Sequence, residues 1–207
     1  LELGADIVVH STTKYINGHS DVVGGAVIAA DPADHAELAW WANCLGVTGS
    51  PFDAYLTLRG VRTLFARIER QQATAGKIAE KLAAHPAVKA VHYPGLKSHP
   101  NHALVTAQQA GPGAMLSFEL AGGTEAVRTL VESLDVFTLA EYLGGVESLI
   151  AQPATMTHAA MTPEQRATAG IGDGLVRLSV GLEHVEDLIA DLFPALDALV
   201  PAKAEAA

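Results

Sequence analysis

Lys14 follows three hydroxyl residues, Ser11, Thr12 and Thr13, within residues 8–25, VVHSTTKYINGHSDVVGG. A lysine delivered by a rigid strand beside hydroxyls has the means to form a Schiff base with a carbonyl, as in pyridoxal phosphate (PLP) chemistry. In an extended chain Ser11 and Thr13 share a face and can donate to a phosphate from one side. The same run also suits a surface lysine after a strand, with hydroxyls capping a turn. A P-loop is excluded, because G-x-x-x-x-G-K-S/T is absent. Arg177 lies in GLVRLSVGLE, inside an apolar strand. A guanidinium there needs an anionic partner, since an unpaired buried charge is costly. Either a bidentate clamp on a substrate carboxylate or an ion pair with a core acid meets that need. LAEYLGGVESLI places Glu141, Tyr142, Gly144 and Gly145 after a predicted strand. Paired glycines allow a ligand close to the backbone, or make a plain strand-to-loop turn.

Other candidates carry less. Of nine histidines, His10 and His19 are too far apart for one helical face. His99 and His102 lack a carboxylate at a recognised spacing, so no metal site is expected. Trp40 and Trp41 read as packing, and Cys44 as an inert buried thiol. One cysteine allows no intrachain disulfide and suits a reducing cytoplasm.

The elements that must position these groups are readable from pattern. A buried strand is predicted over 5–10 and a second over 25–30, with Gly24 and Gly25 before it. A helix follows over 33–45. Ser50 and Pro51 make a helix start, because the hydroxyl can cap orphan N–H groups and Pro suits the first turn. Apolar residues from Leu56 to Leu82 recur at helical spacing, which predicts one long helix toward His85, bent near Gly60 or Gly76. A domain boundary is placed near residue 60, giving 1–60 and 61–207. Beyond it, strands over 88–92, 114–120, 136–139 and 176–180 alternate with helices over 99–108, 124–134, 163–169 and 184–199. That is an α+β pattern with a sheet covered by helices. The Ala-rich tail at 201–207 is expected to fray.

The chain has 207 residues, 49% apolar and 17% charged, which supports a core and argues against disorder. A net charge of −10 with no basic run argues against nucleic acid as partner. No apolar run reaches the roughly 18 residues of a membrane helix, and no secretory signal is recognisable. Leu1 is not Met, and LELGADIVVHS reads as the approach to a strand in mid-fold, so a further N-terminal part is expected.

HSTTKYINGHSDVVGG, GVTGSPFDAYLTLRGVRTL, GAMLSFEL, FTLAEYLGGVESLI, ATMTHAAM and VRLSVGLEHVEDLIADL follow one another in the order of a known family. The chain resembles the C-terminal half of the transsulfuration group, the PLP-dependent enzymes of cysteine and methionine metabolism. The resemblance implies an α/β fold of type I, the aspartate aminotransferase-like architecture. Residues 1–60 would be the end of the large PLP-binding domain and 61–207 the small C-terminal domain. It implies that Lys14 holds PLP covalently and moves protons, that Ser11 and Thr13 bind its phosphate, and that Arg177 clamps the substrate α-carboxylate. Glu141 matches an acidic residue near the distal end of the substrate, and Thr157 a residue near the pocket. Tyr142 stands where the family usually has Ser, a position that helps bind the carboxylate. In the family, the aspartate facing the pyridine nitrogen, the ring-stacking aromatic and a Gly-containing phosphate loop all precede the lysine. GAMLSFEL and the run from GVESLI to ATAGI look closer to bacterial γ-synthases. The implied reaction is therefore γ-replacement, in which cysteine displaces the acyl group of an O-acylhomoserine, the O-succinyl compound, to give cystathionine. A cystathionine γ-lyase or a non-catalytic fragment are the alternatives. A homotetramer built as a dimer of dimers, acting on small amino acids in the cytoplasm, completes what the resemblance implies.

Overall fold

The computed structural model describes residues 1–200, so the tail at 201–207 lies outside the described residues. The chain divides into two compact units, Leu1–Phe65 and Ala66–Ala207.

In the first unit β1 (Ile7–Ser11) pairs antiparallel with β2 (Gly25–Ala29), Ser11 opposite Gly25. The expected burial of β1 is not observed: Ile7 and Val9 are 45% and 71% exposed. A two-stranded ribbon presents both faces and provides no core for alternating valines to enter. Between the strands, Thr12–Ile16 forms a π-helical turn. Helix α1 (Pro32–Leu45) starts where Asp31 Oδ1 accepts from the Ala33 N–H at 2.6 Å, and stops at Gly46, which adopts φ +70°. Its apolar residues surround the axis instead of forming a stripe, and none is buried. Cys44 is therefore exposed, against expectation. Trp40 and Trp41 do pack on each other, edge to face with centroids 4.8 Å apart, yet both remain about half exposed.

Helix α2 (Pro51–Val61) begins as its sequence predicts, with Ser50 Oγ accepting from the Asp53 N–H at 3.1 Å. The single long helix is in fact two. The chain breaks at Arg62 and Thr63, and α3 (Leu64–Ala83) resumes, with Gly76 well inside it. Gly60, near the break, is buried. A Cβ there would lie 2.2 Å from the Asn17 carbonyl oxygen.

The second unit is built on a five-stranded sheet in the order β3 (Val88–His92), β4 (Met115–Leu120), β7 (Leu175–Ser179), β6 (Leu149–Ala151), β5 (Thr138–Leu139). All pairs are antiparallel except β5 with β6. Strand β4 alternates strictly, burying Leu116, Phe118 and Leu120. Helix α3 buries Gln71, Thr74, Ala75, Ile78, Ala79 and Leu82, the three- and four-residue spacing of one face. Helices α5 (Gly123–Glu132) and α7 (Val185–Asp197) add Val127, Leu130, Leu188, Leu192 and Leu196 to the core. Helix α6 (Pro163–Thr168) opens on a capping box between Thr162 and Gln165. Helix α4 (His102–Gln108) starts later than predicted. Two successive turns, His99 N–H to Leu96 O and His102 N–H to His99 O, occupy the residues before it.

Strand β5 is also shorter than the predicted 136–139. The Asp191 carboxylate accepts from the N–H groups of Asp135, Val136 and Phe137 at 2.8, 3.0 and 2.9 Å, which takes them out of any strand ladder. Asp191→Ala strands three donors and is expected to lower stability by about 2 kcal/mol. The check is a lower urea midpoint with an unchanged slope. Among the described residues no helix is long and apolar enough to cross a membrane.

Candidate active site

A set of backbone bonds shapes the Lys14 segment. Where β1 ends, the N–H groups of Thr12 and Thr13 both donate to Gly24 O, at 3.0 and 3.3 Å, and turn the chain away from the strand. Asn17 N–H then donates to Thr12 O at 3.0 Å and Gly18 N–H to Lys14 O at 2.8 Å. At Lys14 itself the turn is interrupted, with φ −92° and ψ −133° outside the helical region. Irregular π turns of this kind recur at functional sites. Gly24 sits so close that a Cβ would meet Thr12 Oγ1 at 2.8 Å. Asn17, buried, donates through Nδ2 to Asp21 Oδ1 at 2.6 Å, and its carbonyl accepts from His19 Nδ1 at 2.7 Å. His19, Gly18 and Gly24, behind the lysine, thus serve the turn. Among the described residues no group of three His, Cys, Asp or Glu side chains is placed to hold a metal ion.

Ser11 and Thr13 do not share the face of an extended strand, as their spacing suggested. The strand ends at Ser11, and Thr13 lies in the turn. Thr13 Oγ1 accepts from the Gly24 N–H at 3.0 Å and donates to Gly24 O at 3.2 Å. Ser11 is exposed, and its hydroxyl does not cap the turn. A cavity of about 550 Å³ in this unit is lined by Thr12, Gly24, Thr48, Asp53 and Thr57, but not by Ser11 or Lys14. A half-exposed lysine at a kink, one turn from an uncommitted serine hydroxyl, fits the attachment of an aldehyde cofactor carrying a phosphate.

In the second unit, β7 sets Arg177 between Ser117 of β4 and Ala151 of β6, on the face opposite buried Val176 and Leu178. Arg177 is half-buried. Its Nη2 donates to two successive backbone carbonyls, Glu141 O at 2.8 Å and Tyr142 O at 3.1 Å. The structure therefore joins Arg177, Glu141 and Tyr142 through main chain. The Glu141 side chain is exposed and Tyr142 is half-buried.

Sequence reasoning missed the residues that hold this loop. Gly144 adopts φ +81°, and its N–H donates to Ser179 Oγ at 2.9 Å. Gln71 Nε2 donates to Gly145 O at 2.7 Å. Further on, Ser148 N–H and Oγ–H both donate to the Glu183 carboxylate at 2.7 Å, and Ser148 Oγ accepts from the Gly181 N–H at 2.8 Å. The one available signal was Gln71, a polar residue on the buried face of α3. Thr157, near the expected pocket, pairs with its neighbour His158 through Oγ1 and Nδ1 at 2.8 Å.

Comparison with known proteins extends the picture. Residues 1–197 match the model of a family described as Cys/Met metabolism PLP-dependent enzyme. Cystathionine gamma-synthase of Escherichia coli is 57% identical over 192 residues, covering 93% of this chain and 50% of that protein. L-methionine gamma-lyase of Porphyromonas gingivalis is 52% identical over 201 residues, covering 97% and 50%. A crystal structure of cystathionine gamma synthase from Xanthomonas oryzae pv. oryzae, in complex with cystathionine, superposes with a TM-score of 0.92 at 64% identity. It covers 95% of this chain and 51% of the other. The chain thus spans about half the length of the curated relatives it matches.

Proposed function

Because this chain belongs to the Cys/Met metabolism PLP-dependent enzyme family, with its fold-type I α/β architecture, we propose that it carries the lysine-bearing and carboxylate-binding part of a cystathionine γ-synthase. The observation that carries this choice is the 64% identity to a γ-synthase whose structure holds cystathionine. PLP is the cofactor of the family.

Lys14 holds PLP covalently, and residues 1–60 act as the end of the cofactor domain, with 61–207 as the small domain. Ser11 donates its hydroxyl to the phosphate, and Thr13 joins it by turning its hydroxyl from Gly24 O. Bound PLP supplies an electron sink for negative charge at the substrate Cα. When the substrate amine displaces Lys14 from the cofactor, the freed Nζ would take the proton from Cα and move protons at Cβ, so that the acyl group would leave from Cγ as its carboxylate and the cysteine thiol, giving up its proton, would take its place. Arg177 binds the α-carboxylate beside the Tyr142 backbone. Glu141 faces the distal end of the substrate. Family resemblance further supports a homotetramer, a dimer of dimers, working in the cytoplasm.

A second reading is γ-elimination, as in a cystathionine γ-lyase. It is favoured by the 52% identity to a methionine γ-lyase, which shows how near elimination lies on this scaffold. The test runs two assays on the PLP-loaded protein: cystathionine formation from O-succinylhomoserine and cysteine, and cystathionine breakdown. Dominant synthesis is expected. Strong breakdown with no synthesis overturns the proposal, and absence of both together with failure to bind PLP points to a non-catalytic fragment.

A further inference from the structure

We propose that Gln71 and Ser179 are positioning residues for substrate-carboxylate recognition, because together they fix the 141–145 segment whose carbonyls hold the Arg177 guanidinium. The inference rests on Arg177 being the α-carboxylate clamp. Arg177 and Ser179 are alternate residues of β7 and so project from one face of the sheet. Arg177 Nη2 is held at 2.8 and 3.1 Å by the carbonyls of Glu141 and Tyr142. These carbonyls lie outside the ladder that pairs β5 with β6, on a loop rich in glycine. Glycine has more backbone freedom than any other residue, so such a loop stays in place only if something grips it.

Two buried side chains do so. Ser179, 1% exposed, accepts the Gly144 N–H at 2.9 Å. Gln71, fully buried on α3, donates Nε2 to Gly145 O at 2.7 Å. Gln71 Oε1 is buried as well and has no hydrogen-bond partner among the described residues. An unsatisfied buried carbonyl oxygen is destabilising, so a methionine of similar length would pack here without that penalty. What glutamine adds over methionine is the donor to Gly145 O. The grip matters for binding, since a guanidinium on a long flexible stem recognises a carboxylate best when its orientation is already set. Loosening the loop removes that orientation and leaves the chemistry at Lys14 untouched.

The experiment uses the PLP-loaded enzyme and compares Gln71→Met, Ser179→Ala and Arg177→Ala. It reads KM and kcat for the amino-acid substrate. It also reads calorimetric Kd values for butanoate (a carboxylate without an amine) and butylamine (the reverse), and the melting temperature. Gln71→Met and Ser179→Ala are each expected to raise KM and the butanoate Kd by about three- to tenfold, the worth of one hydrogen bond. The kcat and the butylamine Kd should stay unchanged, and Gln71→Met should keep its melting temperature. If Arg177→Ala loses butanoate binding but the other two variants retain it, the positioning role is wrong, whether or not their melting temperatures fall. If Arg177→Ala itself binds butanoate normally, the carboxylate clamp fails and the positioning role falls with it.

Discussion

Lys14→Ala is expected to lower turnover of the PLP-loaded enzyme by roughly 10³-fold, the scale of a lost nucleophile and proton carrier. The geometry makes this a chemical loss. The Lys14 segment is held by Thr12, Thr13, Asn17 and Gly18 through main-chain bonds, none of which needs the lysine side chain. Alanine and lysine share the same backbone preferences, so the substitution adds no new conflict at φ −92° and ψ −133°. The variant should therefore fold and melt like the parent while releasing its cofactor on dialysis, because the covalent link is gone. Lys14→Arg should fail equally, since a guanidinium stays protonated and cannot act as the base. Retained turnover, with visible cofactor absorbance surviving dialysis, would show that another residue does this work.

Gly60→Ala should be the most damaging single methyl in the first unit. Its Cβ would stand 2.2 Å from Asn17 O and 2.8 Å from both Asn17 C and Cα. These are backbone atoms, so no rotamer change relieves the contact. Overpacking of this kind costs about 3 kcal/mol. Asn17 cannot step aside quietly either, because its N–H is bonded to Thr12 O and the next N–H to Lys14 O. The displacement is carried into the cofactor turn. Gly60→Ala is thus expected to lower the urea midpoint and weaken PLP retention together. Gly76→Ala is the control: its Cβ would have nothing within 4 Å, and it lies inside α3. There alanine should stabilise by roughly 0.5–1 kcal/mol through helix propensity and reduced unfolded-state entropy. Equal behaviour of the two variants would refute the close-approach argument.

Much of this was legible beforehand where the deciding interactions are local. Ser50 and Pro51 started α2 because a cap reaches only its own first turn. The buried face of α3 and the alternation of β4 follow from periods of 3.6 and 2. The break after Gly60 was anticipated only as a bend. The close approach of the Asn17 backbone to Gly60 comes from another element and leaves no trace in the local pattern. Likewise 136–139 reads as a strand until Asp191, far along the chain, takes its N–H groups. The exposure of β1, α1 and Cys44 depends on what surrounds them, which composition does not encode.

The sequence alone thus pointed to the family, its PLP chemistry and the lysine to examine, through the resemblance of its segments, and determined the buried faces of α3 and β4. Those faces depend on residue type at short spacing. Tertiary structure decided the rest. It set the Arg177 guanidinium on two backbone carbonyls, committed Thr13 to Gly24, and brought Gln71 and Ser179 onto the glycine loop. Those contacts join residues 11 to 74 positions apart. They are set by strand register and helix packing, which no short window of sequence contains.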